Sequence, residues 1–224
     1  MRNQEVSLRT YPRLRPPPPD EGRLARYGYL VICLATYGGA LGASSLLVNF
    51  LSRTKYPDIP EHMALAPTLL LSGGAFVVCA VLGGLIAYWF GQWDEPLRYI
   101  IKWLVIGFGF GILSPIISGG TLPVSLVLVE IEAGVLPVSE APVRLINALF
   151  HIPRFAFTHG VFGLFTGMLA GALFAFGALF ISGLRELAGG PIARYGPYVL
   201  AVLLSIVFYA ISTLADAPTL ARFG

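Results

Sequence analysis

The chain has 224 residues, of which 56% are hydrophobic and only 12% charged, with 26 glycines and a formal net charge of +3. A soluble domain carries about 45–50% apolar and about 25% charged residues, so this composition excludes a water-soluble globular fold and points to an all-α, polytopic transmembrane bundle. The positive charge is uneven, with six arginines ahead of Tyr27.

Residues 1–26 read as a disordered, basic tail, separate from a transmembrane domain over 27–224. Arg2, Arg9, Arg13, Arg15, Arg23 and Arg26 surround Pro16-Pro17-Pro18-Pro19, a composition that favours extended polyproline II over helix. The spacing Arg13-x-x-Pro16-x-x-Pro19 formally matches a ligand of proline-recognising domains, as any arginine-rich tail with four prolines will. The plainer reading is a cytoplasmic tail held near anionic headgroups.

Tyr27 to Leu51 is an apolar run well beyond the 7–15 residues of a signal-peptide core, so it reads as the first span rather than a cleaved leader. Gly38-x-x-x-Gly42 and Gly39-x-x-x-Ala43 give it a packing face. Hydrophobic drive between helices is weak in lipid, so close backbone approach at small residues holds them together. A polar loop follows, in which Pro57 and Pro60 prevent a continuous helix. The second span covers about Ala64 to Gly91, with Ala75, Cys79, Gly83 and Ala87 at fourfold spacing. Tyr88, Trp89 and Trp93 then fall where an interfacial aromatic belt belongs. Cys33 and Cys79 both lie in apolar runs at different helical depths, which speaks against a disulfide.

The third span begins near Leu97 and contains Gly107-x-x-x-Gly111. Pro115 predicts a kink, and Ser118-Gly119-Gly120 predicts its end. The apolar piece Leu122–Val129 is then too short to cross about 30 Å of hydrocarbon alone; it reads as re-entrant, interfacial or a packed loop, and as a sixth span only if it crosses with its neighbours. Ser139 to His151 reads as a helix lying flat at the interface, capped by Ser139 with Pro142 in its first turn. Arg144, Asn147 and His151 share one face of it, and Val143, Ile146, Leu149 and Phe150 lie mainly on the other.

The fourth span, Phe155 to Leu184, has no charged residue and carries Gly163, Gly167, Gly171 and Ala175 at every fourth position, which marks it as the element around which the rest is organised. Phe165, Leu169, Phe176 and Phe180 point away from that ridge, toward lipid. After a polar hairpin (Arg185–Gly196), the fifth span runs from about Pro197 to Leu214 and is peripheral, with Ala201 and Ser205 spaced for one contact. Five spans with the N-terminus inside place ten basic residues on the inner side and five on the outer. That bias predicts a cytoplasmic N-terminus and an external C-terminus in the cell (plasma or inner) membrane.

Chemistry is sparse. Buried ionisable groups mark relays and transport sites, and the spans hold almost none: no Asp, Glu or Arg lies at mid-depth, Lys102 is close enough to the inner surface to snorkel, and the exception is His159, about 6 Å below the outer surface and one turn before Gly163 on the same ridge. His62, His151 and His159 share the external side with Glu61, Glu130, Glu132 and Glu140. The candidate polar site is therefore His159, His151, Glu130 and Glu132. None of them shows ligand spacing within one helix or an H-E-x-x-H pattern, so His159 reads as a packing and hydrogen-bonding residue. No metal or cofactor is expected. A serine nucleophile needs a base in reach, and Ser118-Gly119-Gly120 reads instead as an ordinary helix-termination signal; there is no Walker A motif, dinucleotide fingerprint or C-x-x-C pair. The expected function is a non-catalytic accessory or structural subunit, partnered by lipid and by other membrane subunits or itself, and not by nucleic acid. A channel or facilitator for a small or neutral solute is the alternative, and a membrane enzyme with an outer-surface site is the third.

Overall fold

The computed structural model describes residues 23–51, 65–92, 96–188 and 190–214. Most of the basic tail, the polar loop with Pro57, Pro60, Glu61 and His62, Trp93 and residues 215–224 lie outside the described residues. Six helices follow one another among the described residues: α1 (Arg23–Leu51), α2 (Leu65–Phe90), α3 (Pro96–Glu132), α4 (Ala141–Phe162), α5 (Leu164–Leu187) and α6 (Gly190–Leu214). Five of them, all but α4, are long and apolar enough to cross a bilayer. The chain is an all-helical, multi-pass integral membrane protein.

The hub is α1, not the glycine-ridged span. It packs against α2 on one side and α5 and α6 on the other, and also touches α3. Tyr29, Leu30, Cys33, Leu34, Tyr37, Ala40, Leu41, Ala43, Leu46 and Leu47 are all buried along it. Both cysteines are free and buried. α6 is peripheral, seated on α1 and α5 through a seam at Pro197, Ala201, Ser205 and Ser212. Phe165, Leu169, Phe176 and Phe180 are exposed on α5, as expected of side chains that point away from the glycine ridge. Tyr88 and Trp89 sit edge to face at 5.6 Å near the end of α2.

α3 corrects the expected boundary. It runs unbroken for 37 residues through Pro115, Ser118-Gly119-Gly120 and Pro123, and Leu122–Val129 is its C-terminal part. These are stop signals in water because water competes for freed backbone groups. In lipid the alternative partners must come from protein, and a helix persists where neighbours supply them. The prolines free the carbonyls of Gly111 and Gly119, and Gly167 of α5 closes on the first of these; within α3, Thr121 Oγ1 donates to the Ser118 carbonyl at 2.7 Å and Ser118 Oγ to the Pro115 carbonyl at 3.4 Å. The two glycines admit α4: a Cβ on Gly119 would lie 2.6 Å from His159 Cβ, and one on Gly120 would touch Ile152 and Ala156. At 1.5 Å per residue α3 is about 55 Å long. The hydrocarbon core occupies only about 39 Å of a helix even at a 40° tilt, so part of α3 stands clear of it.

The expected helix over 139–151 is the first half of a longer one. α4 starts at Ala141, with Glu140 rather than Ser139 at the N-cap position and Pro142 in the first turn, and continues through Pro153 to Phe162. It is seated lengthwise and antiparallel on the second half of α3, from Ala148 beside Val127 to Gly160 against Ile116. The fourth span accordingly begins at Leu164 rather than Phe155. The junction Gly163 keeps helical bonding on both sides, donating to the His159 carbonyl at 2.7 Å and accepting from Gly167 N–H at 2.7 Å.

Candidate functional site

The glycine residues singled out by spacing lie on two seams inside the chain. Along α3 and α5 the approach is reciprocal. The hydrogen that stands in for a Cβ on Gly107 points at the Gly171 carbonyl, with a Cβ position 2.5 Å away, and Gly171 points back at the Gly107 carbonyl. Gly111 and Gly167 repeat the arrangement one turn along, and Ala175 closes on Gly107. Such Cα–H···O=C contacts recur at close helix crossings and contribute about 0.5–1 kcal/mol each. Pro115 completes the seam. A proline has no N–H for the carbonyl four residues back, which is that of Gly111, and Gly167 approaches that same carbonyl. The Pro115 ring fills the notch left by Gly163 and Gly167, with Cβ 2.8 Å from a Cβ position on Gly163 and Cγ 2.7 Å from one on Gly167. On the other seam Gly42 of α1 lies against Cys79, Gly38 against the Cys79 carbonyl and Gly83, and Gly39 against the Phe76 carbonyl.

Between the seams the interior divides into two zones. One is aromatic and centred on Phe174, which stacks on Phe110 at 4.2 Å and lies near Tyr37 (6.5 Å) and Trp103 (6.4 Å). Trp103 meets Tyr99 edge on, and Tyr37 O–H donates to the Leu173 carbonyl at 3.0 Å. The other zone, toward the end of the bundle that holds Asn49 and Thr68, is rich in hydroxyls. Ser45 donates to Thr166, which donates to the Gly163 carbonyl. Ser72 Oγ gives its proton to the Thr68 carbonyl at 2.8 Å, so in its 2.8 Å contact with Tyr209 the phenol is the donor. Ser44 Oγ, Ser114 Oγ and Trp103 Nε1 are buried with no hydrogen-bond partner among the described residues. Mainly apolar grooves flank α6, two of them beside the hydroxyl-rich zone. One of about 220 Å³ lies between α1, α5 and α6 beside Ser44 and Thr166, and one of about 650 Å³ lies between α2 and α6 over Ala40.

The polar candidates do not converge. His159 is half-buried on α4, its ring stacked on Phe155 at 5.7 Å with 16° between planes. His151 is exposed eight residues earlier, and its Nδ1–H donates to the Asn147 carbonyl at 2.7 Å. Glu130 is half-buried near the end of α3, where its carbonyl accepts from Val135 and Leu136 N–H, and Glu132 is exposed beside it. No three His, Cys, Asp or Glu side chains come together among the described residues.

What the spacing argument missed is the length of α4's polar face. Arg144, Asn147 and His151 are followed at helical spacing by Arg154 and Thr158, and all five are exposed. The signal was present in the sequence, but starting the fourth span at Phe155 divided the stripe between two elements. Beside it lies an exposed apolar arc, with Phe150 79% and Phe157 73% exposed. No protein-family model, curated protein or solved structure matches the chain.

Proposed function

We propose that this membrane protein is a non-catalytic accessory subunit of a larger membrane assembly and that α4 is its docking element. The observation that carries the reading is the seating of α4. It packs chiefly on α3, with Phe155 reaching the small cluster of Leu46, Leu47, Leu71, Ala75 and Leu122, and it leaves most of its surface uncovered. The glycine ridges supply no such surface, since both seams are filled by the chain's own helices. Apolar and cationic side chains together on one uncovered helix suit a protein contact better than lipid tails alone. The facilitator alternative has less support, because a path along the bundle would pass through Trp103, Tyr37, Phe110 and Phe174, all fully buried.

Solubilisation in mild detergent followed by native mass measurement tests this. The expected result is a defined complex with at least one different chain. A lone monomer or simple homo-oligomer that conducts solute in liposomes overturns it.

The same reading places the assembly in the cell membrane with the N-terminus cytoplasmic and the C-terminus external, on the ten-to-five bias of basic residues. A phosphatase-type reporter fused after Gly224, active only when exported, is expected to be active. A cytoplasm-only reporter active at the same position would contradict the orientation.

A further inference from the structure

We propose that the stripe of Arg144, Asn147, His151, Arg154 and Thr158 receives a helix of another membrane protein that carries two carboxylates about ten residues apart. This rests on the accessory-subunit reading and names the chemistry of its partner. The stripe follows the axis of α4 for about 21 Å at 1.5 Å per residue, and α4 runs antiparallel along α3, a spanning helix. Its members therefore lie at different depths. Arg144 is one turn after Glu140, at the tip of the α3–α4 hairpin, whereas Arg154 adjoins Phe155, which packs on the cluster with Leu46, Leu47 and Leu71, within a turn of where the apolar spans of α1 and α2 end. Neither arginine has an ion-pair partner among the described residues. Headgroup phosphates all lie near one depth, so they match one end of such a stripe and not its length. Arg154, at the rim of the spans, is free to pair with a carboxylate on an approaching helix.

Charge complementarity also selects against a second copy of this chain. A two-fold axis along the membrane normal sets identical residues at equal depth, so copies meeting on this face would oppose Arg144 to Arg144 and Arg154 to Arg154. Thr158 Oγ1 and His151 Nδ1 already donate to carbonyls of their own helix, those of Arg154 and Asn147. Asn147 keeps a neutral amide donor, and the two guanidiniums are the charged donors of the stripe, about 15 Å apart along the helix axis; each offers a bidentate fork to a carboxylate. Phe150 and Phe157, exposed on the adjoining arc, would meet apolar residues on the approaching helix.

The test uses the full chain in phosphatidylcholine nanodiscs and a synthetic Leu/Ala transmembrane helix bearing two glutamates ten residues apart. Energy transfer between labels on the two reads association. The wild type is expected to bind this helix about tenfold more tightly than a version with glutamine at both positions, and the Arg144→Gln/Arg154→Gln variant is expected to lose the difference. Both changes are on exposed side chains, and an unchanged melting temperature checks that the fold is intact. Equal binding of the Glu and Gln helices, or an unaffected double variant, overturns the proposal. So does native mass measurement in which the wild type retains phosphatidylglycerol, the double variant does not, and neither prefers the Glu helix; the stripe is then a headgroup site. If a native complex is isolated and the double variant keeps it, the accessory reading stands and this inference falls. If the chain proves solitary yet prefers the Glu helix, the reverse holds.

Discussion

Gly167→Leu is expected to disrupt the bundle, lowering its stability by about 3 kcal/mol or preventing assembly of α5 on α3. A side chain at Gly167 would collide with the Gly111 carbonyl and with Cγ and Cδ of Pro115. The first of these is backbone and the second a ring locked in a helix, so neither yields by a rotamer change. Overpacking in cores costs about 1–3 kcal/mol when flexible side chains absorb it, and here two backbones must separate instead. The control is Phe176→Leu, at a side chain 52% exposed on the opposite face of the same helix, where about 0.5 kcal/mol or less is expected. Thermal unfolding in detergent compares the two. Equal stabilities would mean that the α3–α5 seam is not a determinant of the fold.

Phe174→Ala is expected to cost about 2–3 kcal/mol, below the about 3–5 kcal/mol for emptying a buried aromatic site in a soluble protein, where a transfer term adds to the cavity term. Its side chain is fully buried and stacks on Phe110 at 4.2 Å, between Tyr37 and Trp103. In a membrane the loss is not one of hydrophobic transfer, because lipid is as apolar as the core. What disappears is dispersion contact with neighbours that are themselves clamped. Collapse is restrained, since the ring edge already lies 3.2 Å from the Cβ position of Gly38 and 3.4 Å from that of Gly83. Denaturant unfolding in mixed micelles measures the effect, with Phe180→Ala on the lipid face as the reference. A Phe174→Ala protein as stable as that reference would show that the aromatic zone is loosely packed.

The number of spans was legible because length and apolarity are one-dimensional properties. Ile32 and Leu34 look alike in the sequence, yet Ile32 is exposed and Leu34 fully buried. For a helix surrounded by lipid, periodicity does not separate inside from outside, and α1 was not recognisable as the hub. The turn signals misled for a related reason. Pro115 and Gly119-Gly120 carry the stop signals of a water-exposed helix, but their meaning depends on Gly167 and on Ile152, Ala156 and His159 of α4, which arrive more than thirty residues later in the chain. Gly163, counted with the ridge, is also the junction where α4 gives way to α5. Among the polar candidates, the legible part was the start of a face at Arg144, Asn147 and His151; its continuation was hidden by a misplaced boundary.

The central position of α1 bears on how the protein is made. A ribosome delivers α1 first, and its hairpin with α2 is available as soon as both are in the bilayer. The opposite side of α1 waits for α5 and α6. Until those helices arrive, Tyr37 has no Leu173 carbonyl to donate to and Ser45 no Thr166. Unmet hydrogen-bonding groups in lipid attract any polar partner within reach, including chaperones, insertases and incomplete copies of the same chain. Of these six helices, the one that enters the membrane before the others is the last to be enclosed.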